Sequence, residues 1–396
     1  MDFSPLGLSV PRILLPQGVP WQRWAVLACD QYSSQPDYWK QVARDVGDAP
    51  STLHQIIPEC YLEDADLPAR VARAVQTMHG YAQGAMLHQW PEGAMLVERK
   101  VDDVWRQGIM MAVDLEQYDY TPGAQPLIRP TEGTIIERIP PRLQLRRDAL
   151  IEYPHIMILI DDPQKTVIEP LAAQTLYETV YDFELGWGGG AVRGRFVPGT
   201  ALGGVHAALT ALRQHSEEIY GAPFLMAVGD GNHSLATAKT HWEHIKKQGA
   251  ALDHPARYAL VEIVNLHSDA LVFEPIHRVL FDVPAGGAAR VAQCREIHAQ
   301  SHSLPLGCLQ HALDAYLAET PGVRIDYIHG LEQARQLAQA PGTLLFEQEV
   351  IAKEALFASV AADGVLPRKA FSMGEANQKR FYLEGRFLVP NQKIKG

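Results

Sequence analysis

An α+β fold with mixed sheets follows from three features of the sequence. Apolar runs of strand length, such as residues 156–160, are interspersed with stretches whose apolar residues recur at helical spacing. A strand, a glycine turn and a helix succeed one another between residues 223 and 247. Of the 396 residues, 47% are hydrophobic and 20% charged, a balance too apolar for disorder and ample for a large core.

Taken in order, Leu67, Val71, Ala74, Val75 and Met78 predict a helix over 66–82. Residues 95–100 and 109–114 read as two strands separated by the charged connection 101–107. Pro122, Pro126, Pro130, Pro140 and Pro141 then bound a predicted strand over 133–139, because proline lacks the N–H a ladder needs. The strand 156–160 runs into the turn Asp161-Asp162-Pro163. Between 183 and 204, eight of twenty-two residues are glycine, which implies unusual backbone angles, close approach to a ligand or a lid; we read it as the most mobile region. An amphipathic helix follows over 205–220, then a strand over 223–228 and a helix over 233–247. Residues 258–266 and 271–281 suggest a hairpin, and strands 323–328 and 343–347 around a helix at 331–340 suggest a parallel crossover.

Charge and targeting signals exclude several function classes. A net charge of −11 opposes bulk binding to nucleic acid or an anionic membrane. Every apolar run falls far short of the roughly 18 residues a bilayer span needs. The start Met1-Asp2-Phe3-Ser4-Pro5 has neither a basic nor an apolar signal region, so a cytoplasmic protein is expected. Cys29, Cys60, Cys294 and Cys308 form no C-x-x-C pair and read as reduced packing residues.

Four segments could carry chemistry. In Gly229-Asp230-Gly231-Asn232-His233-Ser234, glycines would let a phosphate approach free N–H groups at a helix start, with Asp230 available to a Mg²⁺-bound nucleotide or a substrate proton. The alternative is a plain turn capped by Asn232. Arg129, Arg138, Arg142, Arg146 and Arg147 surround Glu132, a pattern suited to phosphate recognition beside a base, or to a solvated face. Asp161 and Asp162, with Tyr153, His155, Lys165 and Glu169, are either paired carboxylates or a turn; His277 reads as a core histidine. Residues 367–396 carry seven basic side chains against two acidic, so this tail either closes over an anionic ligand or contacts the acidic remainder.

The segments 24–32, 129–139, 154–163, 228–239 and 274–278 together resemble the domain of unknown function 1015 family, over nearly the whole chain. That resemblance implies one unit over 1–396, with an N-terminal α+β part (1–120), a core holding the 229–234 motif (121–285) and a C-terminal α/β part with the basic tail (286–396). A remoter resemblance is to the nucleotide-phosphate motif of the ParB and sulfiredoxin superfamily, which includes free-serine kinases. Asp230, Gly231 and His233 match that motif, Asn232 replaces a histidine, and Ser234 stands where an arginine is expected. A hydroxyl cannot supply a guanidinium's charge, so Lys239 or an arginine of the 129–147 cluster compensates, or this branch acts differently. Sulfiredoxin chemistry is disfavoured because no cysteine lies near residue 230.

These readings imply a ParB/sulfiredoxin-like core and phosphoryl transfer between a nucleotide (ATP or ADP, with Mg²⁺) and a small, serine-like hydroxyl metabolite. The alternative is a non-enzymatic nucleotide- or metabolite-binding regulator. Glu132, Asp162, Asp230 and His233 are the expected catalytic residues. Gly229, Gly231, Asn232, Ser234, Lys239, Arg129, Arg138 and Arg142 are the expected phosphate ligands. The expected partner is a small molecule, with neither nucleic acid nor membrane, and self-association is left open.

Overall fold

The computed structural model describes residues 1–101, 103–392 and 394, and among these the chain is a mixed α/β structure around a ten-stranded sheet. From one edge the strands run Ile128–Pro130, Met226–Asp230, Met157–Ile160, Tyr258–Asn265, Val104–Asp114, Leu87–Val101, Ala191–Pro198 and Glu178–Glu184. Leu8–Ser9 pairs with Val104–Asp114, and Arg12–Pro16 with Leu87–Val101. Ile128–Pro130 is parallel to Met226–Asp230, and Met157–Ile160 to Tyr258–Asn265; the Met226–Asp230 and Met157–Ile160 pair is antiparallel.

Strand alternation decides which core each side chain enters. Ile158 and Ile160 join Ile109, Met111, Val113, Val261 and Ile263 in one core, covered through Val205, Leu209, Leu235 and Trp242 by the helices Gly203–Tyr220 and Asn232–Lys247. Met157 and Leu159, one residue out of phase, join a different core with Phe224 and Phe357. On the opposite side of the long hairpin, Met95, Val97 and Met110 pack with Trp39 and Val42 of helix Pro36–Val46 and with Met78 and Tyr81 of helix Leu67–Gln83. A second sheet centres on Phe273–Phe281, antiparallel to Arg324–His329, Leu344–Phe346 and Phe371–Met373.

Five expectations change. Residues 133–139 are not a strand: a 3-10 turn at Ile136–Arg138 leads into the helix Ile139–Asp148, with prolines in its first turn, where no N–H is needed. Residues 258–266 and 271–281 are not a hairpin. Tyr258–Asn265 has neighbours on both edges, so Phe273–Phe281 has no ladder to join and starts the other sheet. The strands near 323–328 and 343–347 flank Phe273–Phe281 instead of pairing. The connection expected over 101–107 is mostly ladder, with Arg99 opposite Arg106. Finally, the glycine-rich segment is a hairpin, not a lid. Gly188 and Gly190 take φ of 71° and 74° in its turn, and a Cβ on Gly194 would overlap the Tyr181 ring.

The most heavily buried charges tie the C-terminal segment to the sheet. Arg380 pairs with Glu262 and Glu384, and the Tyr181 hydroxyl donates to Glu384. Removing the cation should leave two buried carboxylates uncompensated, so Arg380→Met is expected to cost about 3–5 kcal/mol in urea unfolding. A loss below about 1 kcal/mol would place that network outside the interactions that stabilise the fold.

Candidate functional site

Parallel pairing of Ile128–Pro130 with Met226–Asp230 aligns Pro130 with Val228. Residues 131–133 and 229–232 therefore leave the sheet side by side, at the carboxyl ends of parallel strands, where α/β sheets commonly hold ligands. Gly229 is required by close packing: a Cβ there would lie 2.8 Å from Leu159. Gly231, at φ 81°, is the residue from which the helix Asn232–Lys247 starts. Asn232 does not cap it. Its Oδ1 accepts from the Thr131 N–H (3.3 Å) and its Nδ2 donates to Thr131 Oγ1 (3.3 Å), bracing the two segments against each other. No side chain caps this helix, so its first-turn N–H groups are open to an anion.

The motif forms one wall of a cleft of about 1200 Å³, whose other walls are residues 30–35, 131–142 and 367–379. Arg138, Arg142, Arg368, Lys369 and Lys379 bring positive charge to it. Arg142 is anchored by Glu59 (Nε–Oε1 2.8 Å), and Lys379 lies 3.3 Å from Asp230. Burial works to raise the Asp230 pKa, but Lys379, His155 and the Gly231 N–H outweigh it and hold the carboxylate below its usual range. Glu132 behaves oppositely: burial raises its pKa, with Asp230 adding repulsion against the opposing pull of Lys369 and Arg368. The cleft thus holds one carboxylate kept ionised and one disposed to take a proton.

His233 lines the cleft, and its Nε2 accepts from the Ile135 N–H (3.2 Å), which places the imidazole proton on Nδ1. Burial, then Arg138, Arg142 and Arg368, lower its pKa to about 4, so it is a neutral hydrogen-bonding group at pH 7. Behind it, Ser234 Oγ lies 3.1 Å from His155 Nε2, and His155 Nδ1 lies 2.6 Å from the Tyr382 hydroxyl. That hydroxyl already accepts from the Cys29 N–H (3.1 Å), so it donates to Nδ1 and leaves His155 Nε2–H facing Ser234. Asp30 Oδ2 is 3.7 Å from the same Nε2. In this tautomer His155 orients Ser234 and does not deprotonate it.

Of the expected site residues, Glu132, Arg138, Arg142 and all six of the 229–234 motif meet at the cleft. Asp162 does not: fully buried, its carboxylate accepts from the N–H groups of Thr166 (2.6 Å) and Val167 (2.9 Å) and organises the turn after the strand. Asp161 is likewise held by His267 (2.7 Å). Arg129 lies over the Phe224 ring, 4.3 Å from its centroid, and donates to Pro126 O, away from the cleft. Lys239 points to Leu115 O (2.9 Å) and Glu243 (2.9 Å), so it cannot replace the arginine missing at 234. Residues outside the expected set contribute instead: Asp30, His155, Arg368, Lys369 and Lys379. The basic bias of the tail was the available signal for the last three. Its members Lys393 and Lys395 lie outside the described residues.

A family model described as "Protein of unknown function (DUF1015)" matches residues 15–328. The chain belongs to the DUF1015 family. No curated protein matches this DUF1015 chain. Solved structures similar to it include a conserved hypothetical protein from Pyrococcus furiosus, with 11% identity, coverage of 69% of this chain and 90% of that one, and a TM-score of 0.33. A free serine kinase in complex with AMP shows 12% identity, 71% and 91% coverage and a TM-score of 0.35; a mutant form with ADP shows 11%, 71%, 92% and 0.35. At such scores the likeness transfers no activity. Among the described residues, no helix is long and apolar enough to cross a membrane.

His233 makes stability pH-dependent. With a folded pKa near 4 against about 6.5 when unfolded, the native state binds fewer protons between those values, so stability falls as pH drops from 6.5 toward 4. His241 has the same depression. Urea midpoints at pH 7 and pH 5 should therefore converge in His233→Gln without becoming equal. An unchanged separation would refute the assignment.

Proposed function

We propose that this DUF1015 protein transfers a phosphoryl group between a nucleotide and a small hydroxyl-bearing metabolite. The observation carrying this reading is an uncapped helix N-terminus, Gly231 to Ser234, facing a cleft with Arg138, Arg368 and Lys369, next to the proton-accepting Glu132. Phosphoryl transfer asks the protein mainly to position reactants and neutralise charge, and these groups do both. The arginine absent at Ser234 is replaced in this reading by cations from 138–142 and 368–369. The resemblance of the 229–234 motif to the ParB and sulfiredoxin superfamily supports the same assignment.

In the reaction, the acceptor hydroxyl oxygen forms the new bond to the terminal phosphorus, the bond to the bridging oxygen breaks, and the shortened nucleotide leaves with that electron pair. The hydroxyl proton passes to Glu132. First-turn N–H groups and the His233 Nδ1–H donate to phosphate oxygens, while Ser234, oriented by His155, holds the acceptor. Among the described residues no cluster of three or more metal-ligating side chains exists. Asp230 and Glu132 suit a Mg²⁺ brought in by the phosphates, which would neutralise their charge.

The alternative, a nucleotide- or metabolite-sensing protein, draws on one observation: Asp230 is already neutralised by Lys379. Incubation with ATP or ADP, Mg²⁺ and a panel of amino and hydroxy acids separates the two. Phosphorylated product is expected. Thermal stabilisation by nucleotide without product would favour the regulator, because a ligand bound only to the native state raises apparent stability. Neither binding nor product would remove both readings. For the enzyme, Glu132→Gln should lower kcat by about 10²–10⁴ with nucleotide affinity retained.

A further inference from the structure

Behind Ser234 a second cavity, of about 140 Å³, opens from the cleft. Glu59, Pro141, Arg142 and Ser234 line both spaces, so a ligand can reach from one into the other. The inner walls are largely apolar, formed by Ile57, Met78, Leu145, Ile151 and Leu388. Most polar groups at its edge are already occupied: the Tyr153 hydroxyl donates to Gln55 (3.0 Å), and Glu152 accepts from Arg386 (2.7 Å). Such a space rewards an apolar occupant over water, and an apolar cavity of about 150 Å³ accommodates a benzene ring.

One wall group separates a ring from an alkyl chain. Arg146 lies 2.9 Å from Glu152, yet its Nε has no hydrogen-bond partner. A guanidinium short of acceptors is matched by an aromatic face and not by a saturated one. We propose that this side pocket receives an aromatic ring of the hydroxyl ligand, which makes the ligand class aryl-bearing hydroxy acids with the hydroxyl at Ser234. The inference rests on the phosphoryl-transfer reading for the ligand's role, but its binding test does not need a nucleotide.

Calorimetric titration of the full chain with lactate, 3-phenyllactate and 3-cyclohexyllactate, without nucleotide, tests it. Phenyllactate should bind at least about ten-fold more tightly than lactate, the return for burying a ring. It should also exceed cyclohexyllactate. Leu145→Trp, which fills the pocket, should abolish the preference for phenyllactate over lactate while the melting temperature shows that the variant folds. If it does not fold, Leu62→Trp at the pocket mouth tests the same block. Equal affinity for lactate and phenyllactate, or a preference that survives the filled pocket, overturns the proposal. Equal affinity for the two ringed acids overturns the aromatic assignment. Phenyllactate bound with the expected preference but never phosphorylated would support the pocket and count against the transfer reading. Lactate phosphorylated with no ring preference would overturn the pocket alone.

Discussion

The seating of the C-terminal segment depends on charges buried beneath the cleft. Arg380 is enclosed by Glu262 and Glu384. Two further guanidiniums lie beside it. Arg99 donates to the carbonyls of Gly189 (2.9 Å), Asn377 (2.7 Å) and Lys379 (2.6 Å), and Arg106 reaches Gln378 O (3.4 Å). Burial, then the Arg106 charge, lowers the Arg99 pKa to about 9, a sign of how strongly cations are crowded here. Burying such charges is unfavourable unless each finds its partners, so a shift of the segment by one residue would unpair several together. The register that satisfies them puts Lys379 beside Asp230.

This arrangement links distant sequence to site electrostatics. Asp230 stays ionised because Lys379 arrives from the tail and His155 from the neighbouring strand's approach, against the burial that would neutralise it. Glu132, in the same cleft, receives Arg368 and Lys369 at a distance that does not outweigh burial. Two carboxyl groups of similar intrinsic acidity are driven apart by their surroundings, the condition under which one serves as a fixed charge and the other as a proton acceptor. Backbone conformations are constrained on the facing walls too: Tyr32 and Lys369 hold φ of 53° and 56°, which non-glycine residues adopt only when the surroundings enforce it.

The basic tail reconciles both of its sequence readings. Arg380 and Arg386 contact acidic residues of the sheet region, Glu262 and Glu152, and serve architecture. Arg368, Lys369 and Lys379 face the cleft. Net charge along the chain revealed the bias, but which cation does which job depends on the fold alternating between burying and exposing the segment.

The helices Leu67–Gln83, Gly203–Tyr220 and Asn232–Lys247 were legible because their periodicity is local, and so was the strand–glycine turn–helix motif, whose glycines report backbone needs within a few residues. Asp162 was misread because a carboxylate after a strand looks alike whether it caps a turn or meets a ligand; only the Thr166 and Val167 N–H groups distinguish the two. The pairing of 258–265 was likewise hidden, since strand composition does not say which edges are already taken. The sequence by itself determined the family, the motif and the charge bias, all written in neighbouring residues. Tertiary structure alone decided that Asp30, His155 and Lys379 share a cleft with Asp230. Hydrogen bonds and ion pairs depend on distance in space, and those residues are separated by up to 349 positions along the chain.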